Sequence, residues 1–99
     1  MWYAIIGHDH PESLAARTTA RAAHLARLES LRSQARLLLA GPLPKIDAID
    51  PGPAGFAGSL IVAEFRDIDE ARAWAAEDPY VAANVYARVD VHPFRQVLP

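Results

Sequence analysis

Short runs of apolar residues alternate along this chain with segments in which apolar residues recur every three or four positions. Four runs, at residues 2–7, 36–40, 59–65 and 85–91, are rich in aliphatic or aromatic side chains. Each is followed closely by glycine, proline or charged residues, which are typical of strand ends. The pattern therefore predicts four strands.

Two intervening segments have the periodicity of amphipathic helices. Residues 13–35 contain no proline or glycine, and four leucines share one broad face of the predicted helix. A second helix is predicted over residues 67–78, where apolar residues form an inward stripe. The stripe consists of Ile68, Ala71, Trp74 and Ala75. Asp67 and Glu70 have the spacing of a capping box, and Pro79 predicts that the helix ends at Asp78.

A long loop is predicted between the second and third strands, over residues 41–58. This segment holds four of the eight prolines and four of the five glycines. Loops longer than about 12–15 residues inside compact domains are often functional. We therefore expect the loop to border a ligand site and to be more mobile than the strands.

The element order β-α-β-β-α-β predicts a ferredoxin-like α+β fold in one domain over residues 1–99, with two helices on one face of an antiparallel sheet. The first three predicted strands are apolar at consecutive positions, so both faces of the sheet require burial. Two helices cover only one face. A second copy of the chain is the simplest cover for the other, which predicts a homodimer with a dimeric α+β barrel.

Composition narrows the range of partners. The chain has 10 Lys and Arg against 12 Asp and Glu, so no basic excess favours nucleic-acid binding. Cysteine is absent, which excludes disulfides and thiolate chemistry. No apolar segment approaches the ~20 residues that span a membrane, and the N-terminus lacks the basic region of a signal peptide. We expect a cytoplasmic protein with neither a nucleic-acid nor a membrane partner.

No cofactor is predicted, because the glycines of the long loop lack the Lys-Ser/Thr continuation of a phosphate-binding loop. His8 and His10 alternate at the end of the first strand, where they could ligate a metal, with His92 as a third ligand. A polar cluster before Pro11 is also ordinary chemistry for a strand-to-helix loop. We predict no metal site.

His24 is the first candidate for chemistry. Helical spacing places Arg17, Arg21 and His24 on the same side as the leucines of the first helix. The N-terminal half of this inward stripe is therefore polar, and we predict that it faces a cavity. The alternative is that the helix extends beyond the sheet and the three side chains meet solvent.

Asp78 is the second candidate. It falls on the inward stripe of the second helix, where a carboxylate at the C-terminus opposes the helix dipole. Asp-Pro is also a common turn opener, which is the alternative interpretation. Both helices lie on one side of the sheet, so we predict that His24 and Asp78 form a partly buried catalytic pair for acid–base work. Arg17, Arg21, Gly41, Pro42 and Ser59 are predicted to line the substrate site.

Several segments together resemble the YciI-like (YCII-related) family from Met1 to about Val97. They are residues 21–28 (RAAHLARL), 39–42 (LAGP), 58–59 (GS), 62–65 (VAEF), Trp74, 78–80 (DPY) and 91–94 (VHPF). The resemblance implies a ferredoxin-like fold, a dimeric α+β barrel and a site around a paired His and Asp, which would be His24 and Asp78. Similar sequences tend to carry glycine where this chain has Ala35.

Three functions remain open at this level. One is a small enzyme of lyase or isomerase type that uses the His–Asp pair on a cyclic or aromatic, anionic metabolite. The second is a non-catalytic dimer that binds or senses a small molecule in the same cavity. A third possibility is a structural module that binds another protein. The inward His and Asp favour the enzyme, while the absence of a nucleophile motif keeps the second function open.

Overall fold

The computed structural model describes residues 1–99 and contains four strands and three helices. The elements are β1 (Trp2–Asp9), α1 (Leu14–Ser33), β2 (Leu37–Pro44), β3 (Phe56–Glu64), α2 (Ile68–Ala76), α3 (Pro79–Ala82) and β4 (Tyr86–Phe94). A single 3₁₀ turn, Gly52–Ala54, lies between β2 and β3. No helix is both long and apolar enough to cross a membrane.

The four strands form one antiparallel sheet in the order β2-β3-β1-β4. The two central strands are β1 and β3, and Ile5 lies opposite both Ile61 of β3 and Val91 of β4. This is the ferredoxin-like arrangement, so the predicted α+β fold is confirmed.

The main core lies between the sheet and one layer of helices. Nine buried residues form it, drawn from β1, α1, β3 with the residue after it, and α2. They are Tyr3, Ile5, Leu28, Leu31, Ile61, Ala63, Phe65, Ala71 and Ala75. Leucines of α1 and alanines of α2 thus pack on alternate residues of the central strands, as the predicted inward stripes require.

The opposite face of the sheet carries no helix. Trp2, Ala4 and Ile6 alternate with the core residues of β1 and remain partly accessible, as does Leu60 of β3. A sheet face this apolar is unusual in contact with water, because apolar sheet faces are normally packed against another layer.

The predicted loop over residues 41–58 is wrong in its bounds, because β2 extends to Pro44 and β3 begins at Phe56. The connection between the strands is therefore residues 45–55. Gly41 and Pro42 pair with β3 as part of β2, which is an edge strand. Edge strands tolerate proline because one side of the strand needs no N–H donors. The other edge strand, β4, likewise continues through Pro93 beyond its predicted end.

The second predicted helix ends earlier than residue 78. Its start is as expected, since Asp67 accepts a hydrogen bond from the Glu70 N–H over 2.8 Å. The helix stops at Ala76, and Asp78 instead precedes the short helix α3. At the end of α1, Ala35 has a φ of 57°, a conformation that glycine adopts with less strain.

Candidate functional site

A cavity of about 220 Å³ lies between α1, the start of α3, and strands β2 and β3. Six of the seven predicted site residues line it: Arg17, Arg21, His24, Gly41, Pro42 and Ser59. The seventh, Asp78, lies behind His24. Of the predicted loop over residues 41–58, only Gly41 and Pro42, which belong to β2, line this cavity. The connection over residues 45–55 does not line it.

His24 and Asp78 are in direct contact. The His24 Nδ1 atom lies 2.9 Å from Oδ1 and 3.0 Å from Oδ2 of Asp78. A carboxylate only accepts hydrogen bonds, so we assign the proton of this contact to Nδ1. The other ring nitrogen, Nε2, makes no contact with Asp78 and belongs to a side chain that lines the cavity. Both residues are more buried than expected, with 6% and 3% of their surfaces exposed.

Asp78 has a second partner that explains its place in the sequence. Its Oδ1 also accepts the backbone N–H of Tyr80 over 2.9 Å, which makes Asp78 the N-cap of α3. The predicted position at the C-terminus of the preceding helix was wrong, so no opposition to a helix dipole arises. Donors from α1 and α3 hold the carboxylate from two sides and fix its orientation.

Tyr80 is a site residue that the sequence analysis did not identify. Its ring stacks on the imidazole of His24, with centroids 3.9 Å apart and planes 8° from parallel. Burial raises the pKa of the Tyr80 phenol, against the opposing effect of Arg17. Its signals in the sequence are its place two residues after Asp78 and its inclusion in the segment 78–80 (DPY).

Arg17 is held within the protein. Its Nε and Nη2 atoms donate to the two carboxylate oxygens of Asp9 over 2.6 and 3.1 Å. Nη2 also donates to the Gly58 carbonyl over 2.9 Å and to the Ser59 hydroxyl over 2.7 Å. Burial opposes the charge, but the hydrogen bonds and attraction of Asp9 outweigh it and raise the pKa of Arg17. This edge of the guanidinium is therefore closed to bidentate binding of a ligand.

Arg21 has the opposite character. It is exposed on α1 one turn from Arg17, lines the cavity, and makes no hydrogen bond or ion pair within the chain. A guanidinium in this position keeps its full set of donors for a ligand.

The histidines at the end of β1 do not converge. His8 bonds to Asp90 over 2.9 Å on the sheet face opposite the helices, whereas His10 lines a separate depression near the start of α1. No group of three or more His, Cys, Asp or Glu side chains is arranged as metal ligands would be.

These features define a class of small ferredoxin-like domains with a buried His–Asp contact beside a cavity of about 220 Å³. The model of the YCII-related domain matches residues 1–95, and the chain belongs to this family. Protein YciI of Escherichia coli O6:H1 is 53% identical over 97 residues, covering 98% of this chain and 99% of that protein. An uncharacterised protein of Haemophilus influenzae is 50% identical over 97 residues, with the same coverage.

A solved structure is also similar. It is the 5-chloro-2-hydroxyhydroquinone dehydrochlorinase (TftG) of Burkholderia phenoliruptrix, in complex with 2,5-dihydroxybenzoquinone. The two structures agree with a TM-score of 0.83 and 29% sequence identity, over 96% of this chain and 94% of the other.

Proposed function

We propose that this protein is an acid–base enzyme of lyase or isomerase type, acting on an anionic metabolite with a single ring. The observation that carries the proposal is the His24 Nδ1 contact with Asp78 at 2.9 Å, which leaves Nε2 as the free nitrogen beside the cavity. An imidazole whose tautomer is fixed by a carboxylate is a common general base.

In the proposed reaction, Nε2 of His24 takes a proton from the ligand, and the Asp78 carboxylate stabilises the imidazolium that forms. The imidazolium then returns the proton. Delivery to a different atom of the ligand completes an isomerisation, and delivery to a departing group completes an elimination. Neither route needs an oxidant or a covalent nucleophile.

The size and lining of the cavity support a ligand with one ring. About 220 Å³ is smaller than the ~300–1,000 Å³ of common ligand pockets. Arg21 supplies an unpaired positive charge at the cavity, which favours an anionic ligand. The similar structure of TftG contains 2,5-dihydroxybenzoquinone, a ring compound of this kind, which also supports the proposal.

The same proposal includes a homodimer, as expected from the sequence. The partly accessible apolar face of β1 and β3 supports it, together with Leu39 and Leu43 of β2, which are 47% and 39% exposed. Sedimentation equilibrium at micromolar concentration tests this part. A stable monomer would contradict it.

The test of function is a thermal-shift screen of hydroxylated and chlorinated ring compounds, followed by turnover assays on each ligand found. We expect turnover by the wild type and none by His24→Gln. A ligand that both proteins bind and neither converts would instead support the binding or sensor function.

A further inference from the structure

Ser59 and Tyr86 are neighbours, because the Tyr86 ring lies against Gly7 and Gly7 pairs with Ser59 between β1 and β3. Each of the two residues has an unused hydrogen-bonding group. Ser59 lines the cavity with 3% of its surface exposed, and its hydroxyl oxygen accepts from Arg17 over 2.7 Å. Its own proton has no partner within the chain. The Tyr86 hydroxyl is buried without any hydrogen-bond partner, and the residue is 7% exposed. Burial raises the pKa of this phenol, and the neighbouring Ser59 hydroxyl partly opposes that effect.

Local stability does not explain the Tyr86 hydroxyl. A buried polar group without a partner is unfavourable, and phenylalanine would fill the same space without it. The position of the ring depends on Gly7, because a Cβ atom there would lie 2.5 Å from the Tyr86 ring. The neighbouring strand thus leaves space for a tyrosine whose hydroxyl is paired with no group of the chain.

The hydrogen-bonding positions of the Ser59 hydroxyl indicate the role of Ser59 and Tyr86 at the cavity. A serine hydroxyl has one proton and two acceptor positions, and Arg17 occupies one of these positions. Tyr86 is the neighbouring donor without a partner, and it can fill the second position. With both acceptor positions filled, the Ser59 proton is left to point into the cavity.

We propose that Ser59 donates a hydrogen bond to an oxygen atom of the ligand, and that Arg17 and Tyr86 are positioning residues that direct its proton. The inference rests on the proposed function, since it requires a ligand in this cavity. It adds a specificity: the ligand presents an acidic proton to His24 and an accepting oxygen, a carbonyl or an oxyanion, to Ser59. This donor would stabilise the negative charge that develops when His24 removes the proton.

The experiment is a titration with 2,5-dihydroxybenzoquinone of the wild type, Ser59→Ala, Tyr86→Phe and the double variant. We expect the dissociation constant to rise about 10- to 100-fold for Ser59→Ala and about 3- to 10-fold for Tyr86→Phe. The double variant should bind no more weakly than Ser59→Ala alone, because Tyr86 acts only through Ser59. Tyr86→Phe should also be at least as stable as the wild type.

Unchanged affinity in Tyr86→Phe, or additive effects in the double variant, would overturn the inference and leave the proposed function standing. In the opposite case, the Ser59 subsite exists but the protein binds no ring compound. Titration with acetate, followed by NMR at the amide of residue 59, detects this case. If the wild type binds acetate there and Ser59→Ala does not, while neither binds the quinone, the subsite stands and the ring-compound proposal fails. If the wild type binds neither probe, both proposals fail.

Discussion

The imidazole of His24 lies flat on the ring of Tyr80, with the two centroids 3.9 Å apart and the planes inclined by only 8°. Asp78 holds the edge of the same imidazole through Nδ1. The stack fixes the plane of the ring and the carboxylate fixes its rotation within that plane. The direction of Nε2 is therefore set by Asp78 and Tyr80, which are only two positions apart in the sequence.

The stack predicts a difference between two substitutions at Tyr80. Tyr80→Phe keeps an aromatic face under His24, and we expect turnover to stay within about threefold of the wild type. Tyr80→Leu removes that face, and we expect turnover to fall by at least about tenfold, with a loss of roughly 1–3 kcal/mol in the free energy of unfolding. Steady-state kinetics and urea unfolding measure both effects. Equal turnover in the two variants would show that the Tyr80 ring does not orient His24 for catalysis.

Asp78 is predicted to serve the imidazole and the α3 cap separately. Asp78→Asn keeps an oxygen for the Tyr80 N–H but removes the carboxylate, so we expect turnover to fall about 10²- to 10⁴-fold with a stability change near 1 kcal/mol. Asp78→Ala also removes the cap and leaves His24 Nδ1 buried without a partner, which should cost about 1–3 kcal/mol more. Kinetics and urea unfolding of both variants separate the roles. Full activity in Asp78→Asn would contradict the role of Asp78 in catalysis.

Arg17 and Arg21 are predicted to behave in opposite ways. The Asp9 side chain is only 1% exposed, so Arg17→Ala leaves a buried carboxylate without its ion-pair partner. We expect this variant to lose about 3–5 kcal/mol in the free energy of unfolding. Arg21→Ala should change stability by no more than about 0.5 kcal/mol while weakening the binding of an anionic ligand. Urea unfolding and ligand titration measure the two variants. A similar stability loss in both would show that Arg21 has a structural partner.

Tyr86 is predicted to make stability fall at high pH. Burial raises its pKa in the folded protein, so the unfolded chain loses the phenol proton first, from about pH 10 upward. Stability is complete below that pH and decreases as the pH rises toward the folded value, by up to about 1.4 kcal/mol per pH unit for one proton. Tyr86→Phe should lessen this slope, and Tyr80, whose pKa is also raised, accounts for part of the remainder. Urea unfolding between pH 9 and 11 measures it, and an identical slope would contradict the assignment.

The fold could be predicted from the sequence because burial follows the local periodicity of apolar residues. The leucines of α1 and the apolar stripe of α2 determine which faces of the helices are buried, and these are properties of neighbouring residues. The bounds of the edge strands β2 and β4 were not accessible, because edge position is a property of the whole sheet and alone makes Pro42 and Pro93 acceptable within a strand.

The site was accessible only in part for a related reason. Helical spacing placed Arg17, Arg21 and His24 on one side of α1, and the structure places all three at one cavity. Helical spacing does not indicate which arginine lacks an ion-pair partner within the chain. That depends on Asp9, whose contact with Arg17 requires the packing of β1 against α1. Tyr86 was missed because an unpaired buried hydroxyl cannot be recognised before its neighbours are known.

The central claim, proton transfer by His24, is tested most directly by the turnover of a ring compound that the thermal-shift screen identifies and that the wild type converts. We expect the wild type to convert this compound at least about 100-fold faster than His24→Gln, which should still bind it. Equal rates of turnover in the two proteins would contradict the claim.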